Sequence, residues 1–284
     1  ITTTMNNTVT TGKIYKEILE KERRGEFMGK TVQVIPHITD EIKRRIQLLG
    51  TTKKYDVIIS EIGGTVGDIE SLPYIESVRQ LRNELGYQNS LLIHLAWVPY
   101  MAVASEHKTK PTQHSVKELL SYGLQPDVLV LRSEHILGDD VRRKVALFCN
   151  VDPEAVIESA DVKTIYEVPV RMQQEGLDRV VLKRLGLNPE DTVADMDQWN
   201  FFLNKLKTAE KEVRIALVGK YVRLPDAYKS IIESLIHASA YNDRKLKLDL
   251  LLSDDITESN VEATLKGYDG ILIAPGFGER GIEG

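Results

Sequence analysis

Short apolar runs recur along the chain, and the stretches between them carry apolar residues three and four positions apart. The runs 31–35, 56–60, 90–98, 127–131, 214–218, 245–252 and 270–274 predict strands. Most are continuous rather than alternating, as expected of strands buried on both faces of a parallel sheet. The stretches 11–25, 39–49, 73–85, 113–124, 139–149 and 226–239 predict helices; in the last, Ile231, Ile232, Leu235 and Ile236 share one helical face. This alternation predicts an α/β fold with a doubly wound, mostly parallel sheet.

The pattern breaks once. Residues 187–191 are polar and turn-rich, a short helix is expected over 199–206, and 207–212 is densely charged. A fresh strand-and-turn unit then starts at Val213. The expected division is residues 1–190, a linker at 191–212, and 213–284. The first part is long enough for a complete core or a core lacking a strand; the second is short enough to be the front half of a doubly wound domain.

Charge narrows the classes. With 37 basic and 42 acidic residues the formal charge is −5, which argues against bulk binding to nucleic acid or an anionic membrane surface. No apolar run approaches the roughly 20 residues of a membrane span, and the N-terminal residues do not read as a signal peptide. The single cysteine, Cys149, permits no internal disulfide, so a reducing cytoplasm is the expected compartment.

Two stretches carry candidate chemistry. Glu61-Ile62-Gly63-Gly64-Thr65-Val66-Gly67-Asp68-Ile69-Glu70 follows the predicted strand 56–60 and leads into a helix, so glycines and carboxylates gather at a strand's carboxyl end, where α/β proteins bind ligands. Carboxylates without a basic neighbour suit a hard cation such as Mg²⁺, which makes Glu61 a candidate metal ligand and Asp68 and Glu70 a clamp on a polar ligand; the alternative is a solvated turn. Lys108-Thr109-Lys110-Pro111-Thr112-Gln113 follows the predicted strand 90–98. Pro111 favours extended geometry at Lys110, which aims Lys108 and Lys110 together at an oligophosphate, with Thr109, Thr112 and Gln113 adding hydrogen bonds; the alternative is an exposed basic loop.

Other features weigh less. Gly25–Thr31 imitates a phosphate loop but has the wrong glycine spacing and precedes a strand. Gly219-Lys220-Tyr221 lacks a preceding glycine loop, and Cys149 among apolar neighbours reads as a core residue. His94 inside a strand also reads as core, whereas His37 at a strand end is a pocket candidate. The strand into Pro275-Gly276-Phe277-Gly278 ends in a turn able to present backbone N–H groups to an oxyanion.

Taken in order, Thr10–Tyr15, Lys21–Gly25, Thr31–Thr39, Glu61–Pro73, Lys108–Leu120, Ala146–Val151, Ala216–Tyr221 and Gly276–Gly284 resemble the CTP synthase family, glutamine-dependent amidoligases of pyrimidine biosynthesis, across essentially the whole chain. The resemblance implies an N-terminal amidoligase domain with a P-loop, dethiobiotin-synthetase-like fold, and a class I glutaminase domain of which only the start is here. It implies ATP-dependent amination of UTP to CTP, Mg²⁺, and GTP as activator. It implies a homotetramer, sometimes stacked into filaments. By the same resemblance Glu61 is a Mg²⁺ ligand. UTP or CTP is met by Gln33, Asp68, Ile69, Glu70, Lys108, Thr109, Lys110, Pro111, Thr112, Gln113, Lys144 and Phe148. Ala160, Asp161 and Val162 match a segment at ATP, Gly276 the glutamine site, and His37 the ammonia path. The family's P-loop, its second metal carboxylate and its glutaminase cysteine have no counterpart in these residues. The chain is therefore expected to be a piece of a longer protein, inactive by itself. Two alternatives stand beside this: a nucleotide-binding and assembly piece only, or a related amidoligase acting on another substrate such as cobyrinic acid.

Overall fold

Thr10 opens the first helix by accepting a hydrogen bond from Lys13 N at 3.3 Å, and α1 (Thr11–Arg23) buries Ile14 and Ile18, one turn apart, against Ile38 and Ile42. The last of these lies on α2 (Thr39–Gln47), and α3 (Leu72–Leu85) begins with Pro73 in its first turn, where a missing N–H costs nothing. There follow β1 (Ile93–Trp97), a hairpin of β2 (Tyr100–Met101) and β3 (Glu106–His107), α4 (Lys110–Ser121), β4 (Val128–Ser133), α5 (Asp139–Cys149), β5 (Val156–Ala160), α6 (Val168–Gln174) and α7 (Leu177–Arg184). The computed structural model describes residues 4–190, 194–224, 226–276 and 278.

The chain divides into two compact units, 1–193 and 194–284. In the first, β1, β4 and β5 form a parallel sheet in the order β1-β4-β5, with α4 and α5 as the crossovers. Its core is the middle strand: Val128, Leu129 and Leu131 are wholly buried, packed with Val98, Val145, Val156 and Ile157. Registers Trp97↔Arg132 and Ser133↔Ala160 bring three carboxyl ends side by side.

The second unit contains α8 (Asp197–Thr208), β6 (Glu212–Gly219), α9 (Lys229–Tyr241), β7 (Lys245–Leu252), α10 (Val261–Leu265) and β8 (Gly270–Ile273). Its parallel sheet runs β7-β6-β8. Leu217 and Tyr228 are buried at its core. A side chain at Gly219 would run into the Tyr228 ring, whose hydroxyl accepts from Tyr221 N at 3.2 Å, so this glycine is required by close packing.

Both units are α/β with parallel sheets, as the pattern predicts, but two predicted strands do not form. Residues 56–60 are irregular, and 31–35 run into a single wide helical turn at Val34–Ile38. Val57 and Ile59 are exposed. A strand needs a ladder partner, and among the described residues none lies beside either segment. For the same reason β1 is an edge strand with alternating rather than continuous burial: His94 and Ala96 face inward while Ile93, Leu95 and Trp97 face outward. No helix is long and apolar enough to cross a membrane among the described residues.

Candidate functional site

The parallel ends of β1, β4 and β5 frame a cavity of about 360 Å³ lined by Trp97, Arg132, Ser133, Glu134 and Asp161. Backbone bonds brace its floor: Val98 N donates to Arg132 O and Asp161 N to Ser133 O, each at 2.8 Å. Arg132 Nε donates to Asp161 Oδ1 at 3.2 Å across the rim. The Ser133 hydroxyl is fully buried without a hydrogen-bond partner. Ala160 ends β5, and Asp161 and Val162 follow it, so the segment expected at ATP is at this cavity and contributes Asp161 to its wall. Trp97, Arg132, Ser133 and Glu134 were not anticipated. The available signal was position, since each sits at or just past the end of an apolar strand run.

Beside it stands the lysine stretch, and here the local geometry differs from expectation. Lys110 is not extended. It starts α4, with Pro111 in the first turn and Thr109 already in helical geometry. Proline suits a helix start, and that preference wins over its bias on the preceding residue. Thr109, Thr112 and Gln113, at 5%, 0% and 2% exposure, turn inward. Thr112 Oγ1 donates to Trp97 O at 2.8 Å and Gln113 Nε2 to Thr109 Oγ1 at 3.1 Å, so these side chains fasten the helix start to β1. Lys108 and Lys110 remain exposed. The helix start carries no side-chain cap, which leaves the first-turn N–H groups without a side-chain acceptor.

Four of the predicted residues do come together. Lys110 Nζ lies 5.5 Å from the centre of the Phe148 ring. Lys108 pairs with Glu106, whose carboxyl is held below its usual range first by that hydrogen bond and charge, with Lys144 adding to the effect. Lys108, Lys110, Lys144 and Phe148 thus flank one surface, built from the hairpin, α4 and α5.

The glycine-rich segment forms an exposed turn. Gly64 and Gly67 have φ of +92° and +105°, which side chains other than glycine's rarely tolerate. Asp68 accepts from Thr65 N at 3.4 Å and its backbone is tied to Thr65 and Ser71, so it closes the turn it belongs to. Ile69 and Glu70 are exposed on the single turn that leads into α3. Gly67 packs near Glu118 of α4, eight residues from Lys110, which is about 12 Å along a helix. Among the described residues no ion pair joins Asp68 or Glu70 to Lys108 or Lys110.

A Mg²⁺ site is not built by these residues. Glu61 is an exposed single carboxylate, and among the described residues no group of three or more His, Cys, Asp or Glu is placed to hold a metal. Gln33 is exposed, and its N–H donates to His37 Nδ1 at 3.0 Å; the His37 ring meets Phe27 edge-on at 4.8 Å. The residues set aside as core behave so. Burial pushes the Cys149 thiol up to about 11, and lowers His94, which shares a 2.9 Å bond with Ser115 Oγ. Gly276 follows β8 in the second unit; Phe277 and 279–284, the rest of that motif, lie outside the described residues.

Known proteins share this sequence. The family profile "CTP synthase N-terminus" matches residues 1–187. The CTP synthase of Porphyromonas gingivalis is 60% identical over 282 residues, which are 99% of this chain and 52% of that protein. Those of Christiangramia forsetii and Bacteroides fragilis are each 58% identical over 284 residues, the whole of this chain and 52% and 53% of theirs. The chain spans about half the length of these relatives. A profile match through most of the chain, and identity of this order along all of it, make the chain a member of the CTP synthase family.

Proposed function

We propose that the complete polypeptide carrying this sequence aminates UTP to CTP at the expense of ATP, taking ammonia from glutamine, and that these residues form most of its amidoligase domain and the start of its glutaminase domain. The observation that carries the reading is the junction of two sites at the ends of β1, β4 and β5. The lysine surface fits a triphosphate, and the cavity beside Asp161 fits a second nucleotide. In this reading UTP places its triphosphate at Lys108, Lys110 and Lys144, and ATP enters the cavity. O4 of UTP attacks the γ-phosphorus and ADP departs; ammonia then attacks C4 and phosphate departs. Lysines here orient and neutralise, which is the larger part of catalysis in phosphoryl transfer. CTP as feedback ligand at Asp68, Ile69, Glu70 and Phe148, glutamine at Gly276 and GTP as activator belong to the same proposal on the resemblance alone. We assign no step to Mg²⁺, because the described residues do not assemble its ligands.

A homotetramer also belongs to the proposal. Met101, Val103, Ile136, Leu147 and Phe148 are exposed apolar residues on the hairpin, the loop before α5 and α5 itself, and a second copy of the chain is the occupant proposed for them. Filaments, by contrast, rest on the resemblance alone.

A second reading concerns the 284 residues taken alone: a nucleotide-binding and assembly piece without turnover. Its support is Cys149, which is buried with a thiol pushed up to about 11 and so is no glutaminase nucleophile. The test is CTP formation from UTP, ATP and glutamine. The complete polypeptide should turn over and the 284-residue chain should not, and Lys108→Ala with Lys110→Ala should raise the KM for UTP. Absence of turnover by the complete polypeptide would favour an amidoligase with another substrate.

A further inference from the structure

The hairpin that leads into the lysines is held from outside itself. Its two strands pair only Tyr100 with His107 and Met101 with Glu106, and Lys108 N closes it on Pro99 O at 2.9 Å. Two-residue strands do not sustain a fixed hairpin alone. Tyr100 supplies the missing hold. Its ring stands edge-on to His107 with centres 5.1 Å apart at 63°, and edge-on to His135 at 4.4 Å and 79°. These are favourable aromatic geometries. His107 Nε2 is buried without a hydrogen-bond partner, so ring packing rather than a hydrogen bond fixes that imidazole.

His135 belongs to the loop between β4 and α5, and this loop is tied to β5 near both ends. Ser133 and Glu134 at its start line the cavity. Near its end Leu137 N donates to Glu158 Oε2 at 2.7 Å, a buried bond from a carboxylate on β5. The loop is therefore strung between two strands of the sheet, and the ring stack grips it in the middle. On the other side the hairpin leaves Trp97, also a cavity wall, after only Val98 and Pro99. One aromatic column, His107–Tyr100–His135, thus joins the residue before Lys108 to the residue after Glu134.

We propose that Tyr100 is a positioning residue that couples the two sites: a nucleotide filling the cavity sets the loop, the loop sets the hairpin through the ring stack, and the hairpin sets Lys108 against the triphosphate of the other nucleotide. The proposal rests on the nucleotide reading above and goes beyond it by naming Tyr100 as the residue through which the two ligands depend on one another. Coupling is reciprocal, so each nucleotide should tighten the other by the same factor.

The test is calorimetric binding of UTP to the complete polypeptide, with and without a saturating non-hydrolysable ATP analogue. In the unsubstituted protein the analogue should tighten UTP by about fivefold or more, the lower end of ordinary coupling. Tyr100→Phe keeps the ring and should keep that factor. Tyr100→Leu should bring it close to one while UTP alone binds within about threefold of the original, a separation that general loss of structure does not produce. His135→Ala removes the same contact from the exposed side and should give the same loss, which covers failure of Tyr100→Leu to fold. Full coupling in His135→Ala or Tyr100→Leu, or a factor of one in the unsubstituted protein, overturns the proposal while the nucleotide reading stands. No UTP binding by the unsubstituted protein overturns the nucleotide reading itself.

Discussion

Replacing Glu41 by Gln should loosen the α1–α2 pair by about 2 kcal/mol at neutral pH, with a dependence on acid that identifies the cause. Glu41 is almost wholly buried at the start of α2. Arg44 reaches it with two bonds of 2.8 and 2.6 Å, Arg45 with one of 2.8 Å, and Lys21 of α1 at 3.3 Å. Glu17 of α1 takes Arg45 at 2.6 Å, so this pair and Lys21–Glu41 tie the helices together twice, while Glu17–Lys21 at 3.3 Å lies within α1. Burial pushes the Glu41 carboxyl up, but the hydrogen bonds from Arg44 and Arg45 more than offset it and bring it from the usual 4.5 down to about 2. That displacement corresponds to about 3 kcal/mol in favour of the charged, folded form. Arg44 is half open to water, which screens its share and leaves about 2 kcal/mol. A depressed carboxylate stabilises fully above its unfolded value and loses that stabilisation as pH falls toward the folded one. The loss should therefore run from about 4.5 down to about 2, with less than half of the contribution left at pH 3. The assay is hydrogen exchange of α1 and α2 peptides, corrected for intrinsic rate, in the original protein and in Glu41→Gln. The opening free energies should differ by about 2 kcal/mol at pH 7 and converge through the acid window. A difference below about 0.5 kcal/mol, or one that does not change with pH, refutes the reasoning.

Other outcomes follow from single residues. Ser133→Ala should leave stability within about 0.5 kcal/mol in urea melts, since no bond is lost, and a loss above about 2 kcal/mol would show a partner for the hydroxyl. Cys149 should resist iodoacetamide in the native protein at pH 8 and label on unfolding, followed by mass spectrometry. Because burial lowers His94, acid below its usual 6.5 should favour the unfolded form, and His94→Gln should lose that part of the pH dependence in urea melts.

Much of the fold was legible because it is local. Val128–Leu131 is a continuous apolar run and forms the buried central strand; α1 starts at Thr11 and α5 at Asp139 as read. What was not legible depends on distant partners. Val57, Ile58 and Ile59 look like strand, but no neighbouring ladder pairs with them among the described residues. The site divides along the same line. Lys108, Lys110, Lys144 and Phe148 were readable as residue types, and they do share a surface. The inward turn of Thr109, Thr112 and Gln113 was hidden, because it is set by the carbonyl of Trp97, 15 residues from Thr112. The cavity was hidden too, since three strand ends far apart in sequence enclose it.

The central claim is that the lysine surface holds the triphosphate of UTP. The most direct measurement is calorimetric titration of the complete polypeptide with UTP and with uridine, repeated in the Lys108→Ala, Lys110→Ala double variant. Charge-assisted bonds to phosphate contribute about 1.5–3 kcal/mol each, so each lysine should be worth roughly 10- to 100-fold in affinity. UTP should bind, uridine should bind far more weakly, and the double variant should lose most of that difference. Equal affinity for UTP and uridine, or UTP affinity unchanged in the double variant, would contradict it.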